Sequence, residues 1–346
     1  MLKPKRLKKG SKIAIISPSN GLASLFPEIY ELGLKNMEEI LGFTIVEMPT
    51  ARMSPEDLYE NPQIRANDIN KCFADDSIDG MITTIGGYES VRILPFLDTD
   101  MIMNNPKFIM GFSDATTFLT YLNKFGLITF YGPSVMAGLA QMKSLPSIYT
   151  EHLKALLLLN QYPYTYFPYK KWTNGYQDWS NLETLGECKE FYDNEAGWTF
   201  LQGETKVQGE LWGGCIEVLE FLKSTKYWVD DSSWRGKVLF FETSEEKPSP
   251  MEVGYMLRNY GMQDVFSKIN GVIFGRAKDY SAEEKNELNK IIIKVISDEF
   301  GESKLPIVTD FDFGHTDPKL ILPIGGKVEL NPLNNEIKLL ENPFEE

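Results

Sequence analysis

Histidine and cysteine are scarce in this sequence, and long apolar runs are missing from it. The 346 residues include two histidines and three cysteines. Cys72, Cys188 and Cys215 have neither the spacing of a zinc site nor that of a disulfide framework, which favours a reducing compartment. The apolar run at 13–16 is too short for a signal peptide, and no run approaches the ~20 apolar residues of a membrane span. We therefore predict a cytoplasmic protein that has no contact with a membrane.

Positively charged residues are also fewer than negatively charged ones. Lysine and arginine total 35 against 49 aspartate and glutamate residues, which gives a net charge of −14. A protein this acidic lacks the electrostatic footprint of a nucleic-acid binder, so we expect no nucleic-acid partner, and the charge is otherwise typical of a solvated surface. The composition is 42% hydrophobic and 24% charged, which is enough apolar material for a full core. At about 150 residues per domain, the length predicts two domains.

Strand-like and helical patterns alternate through the first part of the chain. Short apolar runs typical of buried strands lie at 12–17, 43–48, 78–85, 107–110 and 127–130, and helical spacing lies at 29–41, 62–74, 89–96 and 113–125. Such alternation predicts an α/β fold, in which an open parallel sheet with flanking helices forms an N-terminal domain over residues 1–150. Open sheets bind ligands at the carboxyl ends of their strands, where Gly86-Gly87 and Gly111-Phe-Ser113 stand out.

An aromatic and polar segment interrupts this alternation. After a helical run at 152–159, the chain carries Trp172, Trp179 and Trp198 without a clean period, and we interpret residues 151–204 as a linker and an aromatic substrate loop. Long loops are usually functional or disordered, and the aromatic content argues against disorder. Strand-like runs then lie at 205–212, 236–242, 271–276, 306–309, 327–330 and 336–340, with helical runs at 216–222, 250–260 and 283–300. They predict a second, strand-rich α/β domain over residues 205–346.

Ser113 lies on the turn between a predicted strand and a predicted helix. Gly111 and Ala115 flank it at minus two and plus two, small where the tight turn of a nucleophile elbow needs small residues. The free N–H groups of the new helix would favour negative charge developing beside its hydroxyl. The alternative is that Ser113 only caps the helix, a role for which serine is well suited.

A serine nucleophile needs a base and a group that orients the base. His152 lies in a helical run, whereas His315 follows a strand on a loop where Gly314 permits unusual backbone angles, so His315 is the better base. Glu242 ends the apolar run 237–241, where a carboxylate requires a partner. His315 would be that partner, and the pairing would raise the basicity of the imidazole. Competing carboxylates are Glu245, Glu246, Asp310, Asp312 and Asp317.

Acyl transfer also needs N–H donors for the oxyanion. The N–H of Asp114, directly after the serine, is one candidate, and that of Gly87 is the second because a residue without a side chain allows close approach. A phosphate-binding turn is the alternative interpretation of Gly86-Gly87, although the spacing of a dinucleotide motif is missing.

Two other architectures fit some of these observations. The order serine, acid, histidine is also that of an α/β hydrolase, but the acid and the base here both come from the second predicted domain. An active site at the interface between the domains is therefore the more natural interpretation. A non-enzymatic binding protein with two lobes around a cleft is the third possibility, in which Ser113 and Gly87 only hydrogen-bond a ligand.

Taken together, the motifs resemble the LD-carboxypeptidase and microcin C7 self-immunity family of serine peptidases over nearly the whole chain. They are Ser17-Pro-Ser19, Ile85-Gly-Gly-Tyr88, Gly111-Phe-Ser-Asp114, Tyr131-Gly-Pro133, the glycines of 209–214, Leu239-Phe-Phe-Glu242, Gly314-His315 and Pro323-Ile-Gly325. The resemblance implies a triad of Ser113, Glu242 and His315, an oxyanion hole of the Gly87 and Asp114 N–H groups, no metal, no cofactor and a homodimer.

The family contains two branches. One removes D-alanine from murein tetrapeptides, and the other cleaves the bond between a C-terminal aspartyl residue and the adenylate moiety of microcin C7. The aromatic segment resembles the self-immunity branch, where a tryptophan stacks on the nucleobase, and Trp179 is our candidate for that role, with Trp172 and Trp198 as alternatives. Each could instead only pack the loop. Gly86 and Cys215 are further candidate substrate contacts, and Cys215 stands where the family usually has asparagine.

Overall fold

Two β-sheets carry the fold in the computed structural model, which describes residues 1–159 and 161–345. The strands are β1 (Lys12–Ile16), β2 (Thr44–Glu47), β3 (Gly80–Thr83), β4 (Phe108–Gly111), β5 (Thr129–Tyr131), β6 (Tyr164–Tyr166), β7 (Lys171–Thr173), β8 (Phe191–Asp193), β9 (Thr199–Gln202), β10 (Val207–Cys215), β11 (Lys237–Glu242), β12 (Gly271–Gly275), β13 (Ile307–Phe311), β14 (Leu322–Ile324), β15 (Lys327–Asn331) and β16 (Glu336–Leu339).

The longer helices lie between these strands where the sequence predicts helical runs; the predicted helix at 89–96 is instead a 3-10 helix (Ser90–Phe96), and three short helices, at 22–25, 55–60 and 99–104, were not predicted. The α-helices are α1 (Leu22–Leu25), α2 (Pro27–Asn36), α3 (Pro55–Glu60), α4 (Pro62–Ala74), α5 (Thr99–Asn104), α6 (Thr116–Lys124), α7 (Ser147–Leu157), α8 (Ile216–Glu220), α9 (Pro250–Met262) and α10 (Ala282–Ile293). Two of them begin at capping boxes: Ser249 with Glu252 starts α9, and Ser281 with Glu284 starts α10. In the described parts of the chain, each helix falls short of the length and apolarity that crossing a bilayer requires.

The first sheet has the order β14-β5-β4-β3-β1-β2. Its strands are parallel except β14, which joins from the C-terminal part of the chain and runs antiparallel to β5. Strands β3, β4 and β5 are buried throughout, as expected where helices cover both faces of a parallel sheet. The predicted α/β class is therefore confirmed, whereas β14 is too short to give a pattern that assigns it to this sheet.

The second sheet has the order β6-β16-β15-β10-β11-β12-β13-β9. Strands β10 to β13 form a parallel centre, and antiparallel strands complete both edges. Strand β10 continues to Cys215, beyond the predicted end at 212, through two glycines. A Cβ atom on Gly213 would lie 1.8 Å from the carbonyl oxygen of Phe240, so no larger residue fits against the neighbouring strand.

The aromatic segment is more regular than we predicted. It contains the edge strands β6 and β9 of the second sheet and the separate hairpin β7–β8. Each of these strands has only three or four residues, too few for a period of two to stand out in the sequence. The segment is therefore tied to the C-terminal sheet by backbone hydrogen bonds, which gives the tryptophans fixed positions.

Candidate active site

Ser113 lies at a strained turn at the carboxyl end of β4. Its φ angle is 59°, a left-handed conformation that costs a non-glycine residue about 1–3 kcal/mol and is found mostly at functional sites. A Cβ atom on Gly111 would lie 2.7 Å from Thr83 Oγ1 and 2.9 Å from the Cβ of Ala115, so the turn needs glycine there. Neither the 3-10 turn Ser113–Ala115 nor α6 is capped by a side-chain hydrogen bond. The turn therefore has the backbone geometry expected of an elbow, whereas the nucleophilic role of Ser113 stays a prediction.

His315 and Glu242 form a buried pair. Glu242 is the last residue of β11 and is 1% exposed, and its Oε2 atom lies 2.7 Å from Nδ1 of His315. Gly314 has a φ angle of 92°, and a Cβ atom there would lie 2.5 Å from Oε2 of Glu242. Because Gly314 has no side chain, the loop after β13 can lie directly on the Glu242 carboxylate. This position of the loop places the imidazole of His315 against that carboxylate.

Tyr131 connects this pair to Ser113, and our sequence reasoning did not assign it a role. Its hydroxyl donates to Oε1 of Glu242 and accepts a hydrogen bond of 2.9 Å from the Ser113 N–H. Burial and the Glu242 carboxylate raise the pKa of Tyr131 well above its ordinary value, so it stays a proton donor. The available signal was the motif Tyr131-Gly-Pro133, which lies at the end of β5 beside β4.

A cavity of about 130 Å³ brings Ser113 and His315 to one surface. Both sheets and the aromatic segment contribute to its wall, which consists of Asn20, Leu22, Ile85, Gly86, Gly87, Tyr88, Phe112, Ser113, Tyr176, Glu245, Lys278 and His315. Within residues 1–159 and 161–345, no hydrogen bond joins Ser113 to His315. The Nε2 atom of His315 instead lies 2.9 Å from Oε2 of Glu245.

Two carboxylates therefore flank one imidazole. Burial opposes the charged form of His315, but Glu242 and Glu245 outweigh it and raise the pKa of His315 to about 9. The hydrogen bond to His315 lowers the pKa of Glu245 to about 2. Both contacts therefore favour the protonated form of His315 in the substrate-free protein.

Of the two predicted oxyanion donors, Asp114 directly follows Ser113, whereas Gly87 lies in the cavity wall against Ser19 and Asn20, and the role of both stays a prediction. Gly86 and Gly87 line the cavity, and a Cβ atom on Gly86 would lie 3.0 Å from Ser113 Oγ and 3.7 Å from the backbone nitrogen of Asp114. The Asp114 side chain is buried and accepts hydrogen bonds of 3.1 and 2.8 Å from the N–H groups of Glu89 and Ser90. It therefore anchors the loop that follows the two glycines to the turn that carries Ser113.

The three tryptophans of the aromatic segment have different surroundings. Trp172 lies against two cations, Lys285 at 4.3 Å and Arg276 at 4.8 Å from its ring centre. Trp198 donates a hydrogen bond of 2.8 Å to Asp312. Both are buried in packing roles away from the cavity.

Trp179 contacts a residue of the cavity wall. Its ring stacks on Tyr176 with centres 5.2 Å apart and an angle of 16° between the planes, and Tyr176 lines the cavity. Phe26 contacts its other side edge-on at 5.7 Å. The indole N–H is buried without a hydrogen-bond partner in the described structure. Trp179 thus forms an aromatic layer directly behind the cavity wall, with Tyr176 in front of it.

Cys215 lies deeper than a substrate contact would. It is fully buried at the end of β10, where it pairs in register with Glu242, and it is absent from the cavity wall. Its thiol donates to Oε2 of Glu217 at 3.4 Å, and burial raises the thiol pKa well above its ordinary value. Its predicted role in substrate binding therefore requires either a deeper pocket or an indirect effect through Glu217.

Among residues 1–159 and 161–345, no group of three or more histidine, cysteine, aspartate or glutamate side chains is placed to hold a metal ion.

Comparison with known proteins gives consistent matches over most of the chain. Residues 13–132 match the LD-carboxypeptidase N-terminal domain, and residues 208–330 match the LD-carboxypeptidase C-terminal domain. A Vibrio cholerae protein named "Putative carboxypeptidase" is 30% identical, with 98% of each chain covered. The microcin C7 self-immunity protein MccF of Escherichia coli is also 30% identical, with 82% of this chain and 81% of MccF covered. The structure of MccF in complex with aspartyl sulfamoyl adenosine superposes with a TM-score of 0.85 at 26% identity, with both chains fully covered.

Proposed function

Because the chain belongs to the LD-carboxypeptidase family of serine peptidases, we propose that this enzyme cleaves the bond between a C-terminal aminoacyl group, such as aspartyl, and an adenylate moiety. Such a reaction would detoxify an antibiotic of the microcin C7 type. The observation that carries this choice of substrate is the stack of Tyr176 on Trp179 at the wall of the cavity that contains Ser113. A nucleobase gains about 1–3 kcal/mol from stacking on an aromatic side chain. The complex of MccF with aspartyl sulfamoyl adenosine supports the same substrate class.

In this proposal the reaction follows the logic of a serine triad. His315 accepts the hydroxyl proton of Ser113 through Nε2, and the serine oxygen attacks the carbonyl carbon of the aminoacyl group. The N–H groups of Gly87 and Asp114 stabilise the oxyanion, and Glu242 stabilises the imidazolium through Nδ1. The imidazolium then protonates the leaving nitrogen or oxygen of the adenylate part. Water hydrolyses the acyl-enzyme, with His315 again as the base, and restores Ser113.

A second candidate is removal of D-alanine from a murein tetrapeptide. The family is named for LD-carboxypeptidase activity, and the Vibrio cholerae relative is named as a carboxypeptidase. Lys278 in the cavity wall favours this candidate because a carboxypeptidase needs a cation for the terminal carboxylate of its substrate. Both candidates use the same serine chemistry, so only the substrate distinguishes them.

Two substrates and one variant test this proposal. The purified enzyme is incubated with aspartyl sulfamoyl adenosine and, separately, with a murein tetrapeptide, and the products are identified by mass spectrometry. We expect cleavage of the adenosine compound and no cleavage by Ser113→Ala. Cleavage of the tetrapeptide alone would establish the second candidate. Full activity of Ser113→Ala would rule out the serine mechanism and favour a binding protein or another nucleophile.

We also propose a cytoplasmic homodimer, as the family resemblance implies. Light scattering of the purified chain measures its mass against the 39.5 kDa of one chain. A mass of one chain at micromolar concentration would contradict the dimer.

A further inference from the structure

We infer that Arg65 is a positioning residue, which acts through Glu89 to hold the N–H group of Gly87 in place for the oxyanion. This inference rests on the proposed function, because it bears on catalysis only if Gly87 donates to the oxyanion of an acyl transfer at Ser113. Arg65 lies on α4, outside the cavity wall, and contacts the loops that form that wall.

Arg65 is a buried cation that joins two loops at the carboxyl edge of the first sheet. Its side chain is inaccessible to solvent. Nη1 donates hydrogen bonds of 3.1 and 3.0 Å to the carbonyl oxygens of Pro18 and Ser19 in the loop after β1. Nη2 donates to Oε2 of Glu89, 3.4 Å away, in the loop after β3. The guanidinium therefore reaches from one loop to the other with two different nitrogens.

Gly87 lies between the two loops that Arg65 joins. A Cβ atom on Gly87 would lie 3.1 Å from the Cβ of Ser19 and 3.3 Å from the backbone nitrogen of Asn20, so the glycine packs closely on the loop after β1. Gly87 also precedes Glu89 by two residues. Because Arg65 binds both the loop on which Gly87 packs and the residue two positions after it, Arg65 restrains where the Gly87 N–H lies.

The Asp114 carboxylate ties the loop after β3 to the turn that carries the nucleophile. One of its oxygens accepts the N–H groups of Glu89 and Ser90, and the Ser90 hydroxyl donates a hydrogen bond of 2.7 Å to the Asp114 carbonyl oxygen. Glu89 thus donates its N–H to Asp114 while its side chain accepts from Arg65. A continuous line of contacts from Arg65 through Glu89 to Asp114 therefore holds the two predicted oxyanion donors relative to each other.

Arg92 offers an internal comparison, because it contacts the same carboxylate. Its Nη1 donates a hydrogen bond of 2.6 Å to Oε2 of Glu89, and its partly exposed side chain lies over the ring of Tyr59. No hydrogen bond in the described part of the chain joins Arg92 to the loop after β1. Arg92 is therefore a cation that pairs with Glu89 without joining the two loops, which makes it the matched control for Arg65.

The position of an oxyanion donor affects the transition state more than the bound substrate, because the negative charge on the substrate oxygen develops only during the reaction. Loss of one such donor lowers kcat by about a hundredfold to a thousandfold, and a misplacement of about 1 Å costs about a hundredfold. Displacement of the Gly87 N–H should therefore lower kcat and leave KM nearly unchanged. A side chain with only a packing role would change stability without this selective loss of kcat.

The first test measures whether the contact between Arg65 and Glu89 holds the loop after β3. Amide hydrogen exchange followed by mass spectrometry compares the peptide that covers residues 84–90 in wild type, Glu89→Ala and Arg92→Met. We expect exchange in this peptide to become at least about tenfold faster in Glu89→Ala and to stay within about twofold of wild type in Arg92→Met. Equal exchange in Glu89→Ala and wild type would overturn the inference.

The second test measures kcat and KM of the same proteins and of Arg65→Lys, with whichever of the two candidate substrates wild type cleaves. Lysine keeps the charge on a single nitrogen, so it cannot join the two loops as the guanidinium does. We expect kcat to fall at least about tenfold in Arg65→Lys and in Glu89→Ala with KM within about threefold, and Arg92→Met to match wild type. Wild-type kcat in both Arg65→Lys and Glu89→Ala would overturn the inference.

Failure of the proposed function gives a different result from failure of this inference. If wild type cleaves neither substrate, or if Ser113→Ala keeps full activity, the proposed function is wrong and the catalytic role of Arg65 is overturned with it. If activity depends on Ser113 but Arg65→Lys and Glu89→Ala keep the wild-type kcat, only the role of Arg65 is overturned. The exchange measurement needs no substrate and decides separately whether Arg65 and Glu89 hold the loop.

Discussion

Tyr131 donates a hydrogen bond of 2.5 Å to Oε1 of Glu242 and thereby joins the end of β5 in the first sheet to the end of β11 in the second. The same hydroxyl accepts the N–H of Ser113. One side chain therefore fixes the distance between the serine on one sheet and the carboxylate on the other. This contact explains how a site assembled from two parts of the chain keeps its geometry without a covalent link.

Tyr131→Phe should impair catalysis more than substrate binding. The variant leaves a buried carboxylate without one of its donors, which costs about 1–3 kcal/mol of folding stability. We expect kcat to fall about tenfold to a hundredfold with little change in KM, as is typical when a supporting partner of an active-site group is removed. Steady-state kinetics and urea unfolding measure both effects. A variant that keeps full kcat would show that Tyr131 has only a packing role.

Two substitutions of Ser113 separate the effect of backbone strain on stability from the effect of the hydroxyl on activity. Both Ser113→Ala and Ser113→Gly should lose activity, because each lacks the hydroxyl. Glycine adopts a φ angle of 59° freely, whereas alanine retains the strain, so Ser113→Gly should be more stable than Ser113→Ala by about 1 kcal/mol. Urea unfolding of the two variants measures the difference. Equal stabilities would indicate that the turn is relaxed and that its backbone stores no strain.

Most of the secondary structure and the positions of two candidate site residues could be predicted from the sequence, because the patterns that indicate them span only a few neighbouring residues. The α/β alternation follows from apolar runs and helical spacing, and Ser113 and His315 stand out because each follows a strand beside a small residue. The contacts of Tyr131 and Glu245 were beyond such reasoning, since each depends on how one sheet meets the other. The predicted triad pairing of Glu242 with His315 corresponds to a contact in the structure, but its catalytic role stays a prediction.

Trp179→Ala should weaken the binding of adenosine-containing ligands selectively. Removal of the layer behind Tyr176 leaves that ring free to move, so the proposed stacking surface for a nucleobase would be lost or poorly ordered. We expect affinity for aspartyl sulfamoyl adenosine to fall by about 1–3 kcal/mol, measured by calorimetry on the Ser113→Ala background. Trp179→Phe, which keeps an aromatic layer, is the matched control and should lose less. An unchanged affinity in Trp179→Ala would remove the support that Trp179 gives to the adenylate substrate.

Activity and stability should respond to pH in opposite directions above neutrality. Because the proposed mechanism requires a neutral His315 to accept the proton of Ser113, kcat/KM should rise with pH up to about 9, the raised pKa of His315 in the free enzyme. The raised value also means that the folded state binds this proton more tightly than the unfolded chain, where the pKa is about 6.5. The contribution of His315 to the free energy of unfolding is therefore complete below about 6.5 and is lost as the pH rises from there toward 9.

Glu245 should affect how the free energy of unfolding depends on pH in the acid range. Its pKa is lowered to about 2, below the value of about 4.3 in an unfolded chain, so its contribution is complete above about 4.3 and is lost as the pH falls toward 2. Both contributions are present together only between about pH 4.3 and 6.5. The stability difference between wild type and Glu245→Gln, measured by urea unfolding at a series of pH values, should be largest in that window and shrink on both sides. A difference that stays constant from pH 3 to 9 would show that the contact between Glu245 and His315 carries no net charge interaction in solution.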